Sequence, residues 1–357
     1  MSRKIVLSTG GTGGHIFPMI ALYDYLISKN YDVSFVTDKR GEKYFTDDTK
    51  YKIKIFNINS PFNQKGLFKI ISIFQLFVST VHSFFFLIKS KPKVIIGSGG
   101  YASFPILMAG YILKINILTY ETNTILGRTN KFFYPLAKKL LLGFNILNNL
   151  QKKYQSKARH VGQLIRTSFN INSIKKEKKK LFTILILGGS QAAEFFGEDF
   201  AKLLSELDKD FFKIKIFHQC KKDQIDKLKL AYGNSVNFEL FDFKANIAQL
   251  MLEADIAITR SGSSAISEMV SLNLPFIAIP LPTSLDNHQY YNAKYFEEKG
   301  FCWVLEQKFF NIQKFQKMII DIVANDRKQL KIKLENMKTA TKENVLIKFE
   351  DEIKEYF

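Results

Sequence analysis

Apolar runs of a few residues recur along this chain, each followed by a glycine-rich turn, a helical stretch and a further apolar run. Ile5–Leu7 leads into Gly10-Gly11-Thr12-Gly13-Gly14, a helix from about Ile16, and Val33–Val36. Val94–Ile96 leads into Gly97-Ser98-Gly99-Gly100, a helix ending near Leu113, and Ile115–Thr119. Ile184–Leu187 leads into Gly188-Gly189-Ser190-Gln191, a helix to about Leu207, and Lys213–Phe217. Ile256–Thr259 leads into Arg260-Ser261-Gly262-Ser263, a helix to about Leu272, and Phe276–Ile279. Alternating strands and helices predict parallel sheets covered by helices on both faces. Two βαβ units in each half predict an α/β protein with two Rossmann-like domains facing a cleft. The expected boundaries are 1–163 and 164–339, with a charged amphipathic helical tail, starting near Leu334, whose part from about 340 to 357 packs back on the first domain. The lysine-rich stretch Lys175–Lys180 is expected to be a solvated loop.

The segment 70–88 departs from that scheme. Wound as a helix, it places Ile70, Ile73, Phe74, Phe77, Val81, Phe84, Phe85 and Ile88 on one broad face. Ser72, Gln75, Ser79, His82 and Ser83 lie opposite, while Ile71, Leu76, Phe86 and Leu87 widen the apolar arc. Lys65, Lys69, Lys89, Lys91 and Lys93 bracket it. About nineteen residues can cross a bilayer, so a transmembrane span is one reading and an all-core helix another. The polar stripe, and the βαβ domain that a crossing would break, favour core packing plus an exposed apolar patch with a basic rim. Such a patch suits an anionic membrane surface.

Composition changes this picture modestly. A chain of 357 residues fits two domains. The formal charge of +19 points to an anionic partner: nucleic acid, a membrane or a phosphorylated substrate. Abundant Lys, Ile, Phe and Asn with scarce Trp, Pro and Cys is also the bias of an AT-rich genome, which discounts the charge. No recognition motif or stacking platform for nucleic acid accompanies it. Cys220 and Cys302 cannot build a disulfide framework, and no His/Cys ligand cluster exists, so no metal is expected and a reducing cytoplasm fits. Met1-Ser2-Arg3-Lys4 runs directly into Ile5-Val6-Leu7 without the apolar core of a signal peptide, so the chain is expected not to be exported.

Glycine-rich turns that open helices expose unpaired N–H groups at the positive end of a helix dipole and suit phosphate. One such turn is more often only a tight connection. Four, at the carboxyl ends of parallel strands, point to a ligand containing a diphosphate. None carries a full GxGxxG followed by a well-placed acid, although Asp38 stands where a dinucleotide enzyme would hold a ribose, so NAD is set aside. His15 follows the first turn and can accept a proton from a sugar hydroxyl near neutral pH. Glu268, one turn into the helix opened by Ser261-Gly262-Ser263-Ser264, can accept both hydroxyls of a ribose; otherwise it is a solvent-facing helix acid. Gln289 and Asn292 lie in the polar cluster Asp286–Asn292, which can equally be a capping loop. Asp208-Lys209-Asp210 is formally a DxD metal motif, but it sits in a helix-to-strand turn away from the expected cleft.

Together these residues resemble the MurG family of N-acetylglucosaminyltransferases over nearly the full length. The resemblance rests on Thr9-Gly-Gly-Thr-Gly-Gly-His-Ile-Phe-Pro18, Gly97-Ser-Gly-Gly-Tyr101, Gly188-Gly-Ser-Gln191, Arg260-Ser-Gly-Ser-Ser-Ala-Ile-Ser-Glu268 and Asp286–Asn292. It implies a GT-B fold and inverting transfer from UDP-N-acetylglucosamine to a lipid-linked muramoyl-pentapeptide. The work would be done without a cofactor, peripherally on the cytoplasmic face of the plasma membrane. On this resemblance Thr12, Gly13 and Gly14 lie against donor or acceptor phosphates, with His15 as base and Glu121 as the second choice. Asn123 touches the donor sugar, and Arg166 and Ser190 contact the nucleotide diphosphate. Phe243 and Lys244 lie where main chain reads the uracil edge. Ser263, Ser264, Ala265, Ile266, Ser267 and Glu268 cradle the α-phosphate and ribose, Gln289 binds sugar hydroxyls, and Arg260 assists the diphosphate. The chain departs from the family pattern at Gln163-Leu164, where Asn-Pro is usual, at Thr122 in place of Gln, and at Ala192 in place of Gly. A related glycolipid glycosyltransferase, a UDP-N-acetylglucosamine 2-epimerase and a non-catalytic membrane-bound UDP-sugar-binding protein remain as alternatives; the epimerase leaves residues 70–88 unexplained.

Overall fold

The structure, a computed structural model, describes residues 3–11, 13–45, 50–58, 66–166, 169, 181–189, 194–234, 236–244, 246–340 and 344–357. It divides into two compact units, Met1–Arg166 with Glu343–Phe357, and Thr167–Lys342. The first contains β1 (Lys4–Ser8), α1 (Gly13–Ser28), β2 (Asp32–Asp38), α2 (Lys39–Glu42), β3 (Ile53–Phe56) and α3 (Leu67–Ser90). It continues with β4 (Val94–Gly97), α4 (Phe104–Ile112), β5 (Asn116–Glu121), α5 (Arg128–Phe133), β6 (Lys139–Leu142) and β7 (Ala158–His160). The second contains β8 (Phe182–Leu187), α6 (Glu198–Asp210), β9 (Ile214–Gln219), α7 (Ile225–Tyr232), β10 (Asn237–Phe241) and α8 (Ile247–Glu253). There follow β11 (Ile256–Thr259), α9 (Ser263–Ser271), β12 (Phe276–Ala278), α10 (His288–Glu298), β13 (Cys302–Val304) and α11 (Ile312–Thr339). The last helix, α12 (Val345–Lys354), belongs to the first unit.

The two sheets repeat one plan. Among the described residues the first has the strand order β3-β2-β1-β4-β5-β6-β7 and the second β10-β9-β8-β11-β12-β13. Every pairing is parallel. In β1, Ile5 and Leu7 face a core built with α1 and α12, whereas Val6 faces the opposite core with α3 and α4. That alternation between two apolar cores is why the strand reads as continuously hydrophobic. In the second unit Ile184 and Ile186 of β8 pack with Phe200, Leu204 and Leu207 of α6 and Phe315 and Ile319 of α11.

Two helices differ from expectation. The tail is not one helix from about 334: α11 ends at Thr339 in the second unit, and α12 restarts behind Asn344, whose side chain caps the Ile347 N–H at 3.2 Å. α3 is reversed in its polarity. Its small polar residues Ser72, Ser79 and Ser83 are buried along with Leu87, on the side that packs against α4. Phe74, Phe77 and Phe85 are about two-thirds exposed, at 65%, 65% and 64%. Serines serve here as small residues that let two helices approach, and Ser72 returns its hydroxyl to the Phe68 carbonyl at 2.9 Å.

Candidate functional site

In each sheet the strand order reverses between two neighbours, β1 and β4 in the first and β8 and β11 in the second. Ligands of open parallel sheets bind outside the carboxyl ends of such strands. Ser8 pairs with Gly97, so the first two glycine-rich turns leave the sheet side by side. They pack on each other: a Cβ on Gly10 would lie 2.2 Å from that of Ala102, and one on Gly100 (φ 73°) 3.5 Å from the Gly10 carbonyl. Part of the glycine signal is therefore loop packing.

Gly13, Gly14 and His15 form the first turn of α1, with the His15 imidazole half-buried and its carbonyl 3.5 Å from Thr9 Oγ1. Thr12 lies outside the described residues. Arg166 places its guanidinium 4.8 Å from the centre of the Phe17 ring on α1, in the first unit. Asp38 is no ribose acceptor. Its Oδ1 accepts the N–H groups of Gly11 and Gly41 at 3.2 and 3.0 Å, and its Oδ2 accepts Arg40 and the Tyr101 hydroxyl. Burial pushes the Tyr101 hydroxyl up to about 12, which keeps it a donor.

Glu121 ends β5 with both oxygens occupied. One accepts the N–H of Asn123 and its side-chain amide, each at 3.0 Å; the other accepts Gly127 N–H at 2.8 Å and the Asn130 amide at 2.9 Å. Burial raises its pKa above the ordinary carboxylate range, and the four donors oppose that. Two departures from the family pattern meet beside it. Gln163 Nε2 donates to the Thr122 carbonyl at 2.7 Å. Leu164 has the N–H that a proline lacks and donates it to the Tyr120 hydroxyl at 3.0 Å, which in turn donates to the Gly162 carbonyl at 3.0 Å.

In the second unit Leu187 pairs with Thr259 at the reversal point. Ser190 lies outside the described residues, as do Gln191 and Ala192. α9 begins after Gly262, which has no side chain to cap it, and its first closing bond runs from Ile266 N–H to the Gly262 carbonyl. The N–H groups of Ser263, Ser264 and Ala265 thus precede the intrahelical ladder at the positive helix end. Ile266 is core, and Ser267 is buried. Glu268 is buried at 5% exposure and is not a solvent-facing acid. Gln289 Oε1 accepts the N–H groups of Ser261 and Leu281 at 3.2 and 3.0 Å, and among the described residues its NH2 shows no hydrogen-bond partner. Lys244 pairs with Glu239.

Arg260 is not presented to a phosphate. Nη1 donates to the Ile279 and Pro280 carbonyls, Nη2 to Gln307 Oε1 at 2.7 Å, and the guanidinium lies 4.9 Å from the Phe195 ring centre. Burial lowers its pKa to about 10. It fastens the ends of three strands from behind the site. Asp208 accepts Ile214 N–H and Lys213, both at 2.8 Å, so the DxD is a helix-end anchor. Among the described residues no group of three metal-ligating side chains occurs.

Sequence models of the Glycosyltransferase family 28 N-terminal and C-terminal domains match residues 5–142 and 183–352. The chain belongs to glycosyltransferase family 28. A Pelagibacter ubique protein named UDP-N-acetylglucosamine--N-acetylmuramyl-(pentapeptide) pyrophosphoryl-undecaprenol N-acetylglucosamine transferase is 34% identical over 96% of both chains. The Rickettsia canadensis protein of that name is 36% identical over 91% of this chain and 92% of its own. These similarities place the chain in the MurG branch of family 28. The structure of Acinetobacter baumannii MurG matches with a TM-score of 0.79 at 22% identity over 99% of both chains, and shares the GT-B fold. A Staphylococcus aureus MnaA–UDP structure matches at 0.75 with 14% identity over 100% of this chain and 97% of its own, likewise a likeness of fold alone.

Sequence reasoning passed over Gln219, at the end of β9. Its Oε1 accepts Gly189 N–H at 3.2 Å and its Nε2 donates to the Asp242 carbonyl at 3.1 Å, which ties the turn after β8 to the stretch after β10. Only its place at a strand's carboxyl end could have signalled this.

Proposed function

We propose that this family 28 enzyme transfers N-acetylglucosamine from UDP-N-acetylglucosamine to the C4 hydroxyl of undecaprenyl-diphospho-N-acetylmuramoyl-pentapeptide, with inversion. The observation that carries the reading is the open start of α9, with Glu268 buried one turn inside it and the Gln289 amide beside it. Three forward-pointing N–H groups suit the phosphates of a nucleoside diphosphate, and a carboxylate one turn on suits its ribose. The second unit holds the donor; Lys244 lies in the stretch whose main chain meets the uracil edge. The first unit holds the acceptor at Thr12, Gly13 and Gly14, and Asn123 reaches the donor sugar.

The acceptor O4–C1 bond forms as the bond from C1 to the UDP oxygen breaks. His15 takes the hydroxyl proton, and the electron pair leaves on the diphosphate. Ser190 and the N–H groups of Ser263, Ser264 and Ala265 oppose the charge that develops there, as preorganised donors do. Arg166 adds a cation, and Arg260 acts by holding the loops in place. Glu121 positions Asn123 and is not the base. The exposed face of α3, with lysines at its ends, lies on the anionic inner surface of the plasma membrane and brings the lipid-linked acceptor within reach.

Release of UDP, with and without the lipid-linked acceptor, tests this. Acceptor-dependent release that drops about 100-fold or more in His15→Ala is expected if an essential base is removed. Nucleotide binding with no turnover on this acceptor would defeat the transferase reading and leave a UDP-sugar-binding protein or another glycolipid enzyme.

A further inference from the structure

The turn after β2 carries a cation that the mechanism above leaves idle. Arg40 gives Nε and Nη2 to Asp38 Oδ2 at 3.0 and 2.9 Å, and its guanidinium carbon lies 4.7 Å from the centre of the Tyr101 ring. Asp38 is buried, yet the Arg40 side chain is 54% exposed. Among the described residues Nη1 has no partner. A Cβ on Gly11 would lie 3.2 Å from Arg40 Nη2 and 3.8 Å from its guanidinium carbon, so the guanidinium that Asp38 holds borders the first glycine-rich turn.

We propose that Arg40 is a ligand for the diphosphate of the lipid-linked acceptor, and this rests on the function proposed above. Asp38 holds the guanidinium in one orientation, and Tyr101, from the second glycine-rich turn, supports its face. Asp38 also accepts the N–H groups of Gly11 and Gly41 and the Tyr101 hydroxyl, so its charge is shared among several donors and does not fully cancel the arginine. The outer edge therefore meets the anion already oriented, where a planar fork suits phosphate better than a point charge does. The adjoining start of α1, a helix of 16 residues, adds its positive end. Arg40, Gly11 and Tyr101 all belong to the first unit, whereas the donor's phosphates are assigned to α9 in the second. The function proposed above gives the first unit to the acceptor, which is therefore taken as the source of the diphosphate and is tested against the donor by the separate KM values.

The full-length enzyme and its Arg40→Met and Arg40→Lys variants are compared by varying each substrate in turn, with a short-chain acceptor analogue. Binding of farnesyl diphosphate and farnesyl monophosphate is measured in parallel without turnover. Arg40→Met is expected to raise the acceptor KM roughly tenfold or more, to weaken farnesyl diphosphate to the same degree, and to leave the KM for UDP-N-acetylglucosamine within about twofold. Its preference for diphosphate over monophosphate shrinks, and Arg40→Lys recovers part of the loss. Unchanged acceptor KM and farnesyl diphosphate affinity overturn the assignment, as does a rise confined to the donor KM. A fall in unfolding midpoint with both KM values rising together also overturns it, because the arginine is then structural. Wild-type enzyme that transfers nothing but binds farnesyl diphosphate through Arg40 defeats the proposed function while supporting the ligand.

Discussion

Glu121 closes β5 with two N–H donors on each carboxylate oxygen, a surround that fits an acceptor and repels a donor. A group so engaged is poorly placed to shuttle protons, and its value lies in holding Asn123 and the turn to Gly127. Glu121→Gln points an NH2 group at those donors, which costs about 1–3 kcal/mol of stability at a buried site. The expected outcome is a modest fall in kcat with the pH–rate profile unshifted. A profile that loses its basic group, with a fall of roughly 100-fold or more, would instead identify Glu121 as the base. The placement of His15 in the first turn of α1 and of Glu268 one turn into α9 was legible because a glycine turn and a helix start fix what lies near them. The anchoring contacts of Asp38 with Tyr101 and of Arg260 with Gln307 were not legible, because those partners are remote in sequence.

At the scale of elements, the strand–turn–helix units were readable because buried parallel strands are apolar throughout. The edge strands β3 and β10 were not, since Ile53-Lys54-Ile55-Phe56 and Asn237–Phe241 carry the polar positions of a less buried strand. α3 shows a different limit. Periodicity identified its two faces but could not say which turns inward, because a serine face packs well where helices approach closely. The prediction has two arms. Changing Phe74, Phe77 and Phe85 together to Ser should leave the unfolding midpoint nearly unchanged while abolishing co-sedimentation with vesicles containing anionic lipid. Ser83→Leu, at a fully buried position, should cost about 1–3 kcal/mol by overpacking against α4 and spare vesicle binding. Vesicle binding that survives the triple change removes α3 from the membrane contact.

At the scale of the whole molecule, each unit has its own core and its own point of vulnerability. The first is closed by α12, which buries Phe349 and Ile353, sets Phe349 edge-on to Tyr120 at 5.2 Å and joins Lys139 to Glu352 at 2.7 Å. The second holds His218 on β9, 1% exposed, with Nδ1 2.8 Å from the Tyr232 hydroxyl. Burial lowers that imidazole from 6.5 to about 4. The folded state therefore prefers neutral His218, and its contribution is complete above the unfolded value and lost as pH falls from about 6.5 toward 4. The span corresponds to about 3 kcal/mol at most. Phe349→Ala should cost the first unit about 3–5 kcal/mol. If the units unfold as separate cooperative bodies, Phe349→Ala lowers one transition, and UDP raises the other. Acidification from pH 7 to 4 weakens the UDP-sensitive transition, and His218→Gln, which cannot titrate, flattens that dependence. A single transition that shifts with all of these changes would show that the two cores unfold together and that neither perturbation can be assigned to one unit.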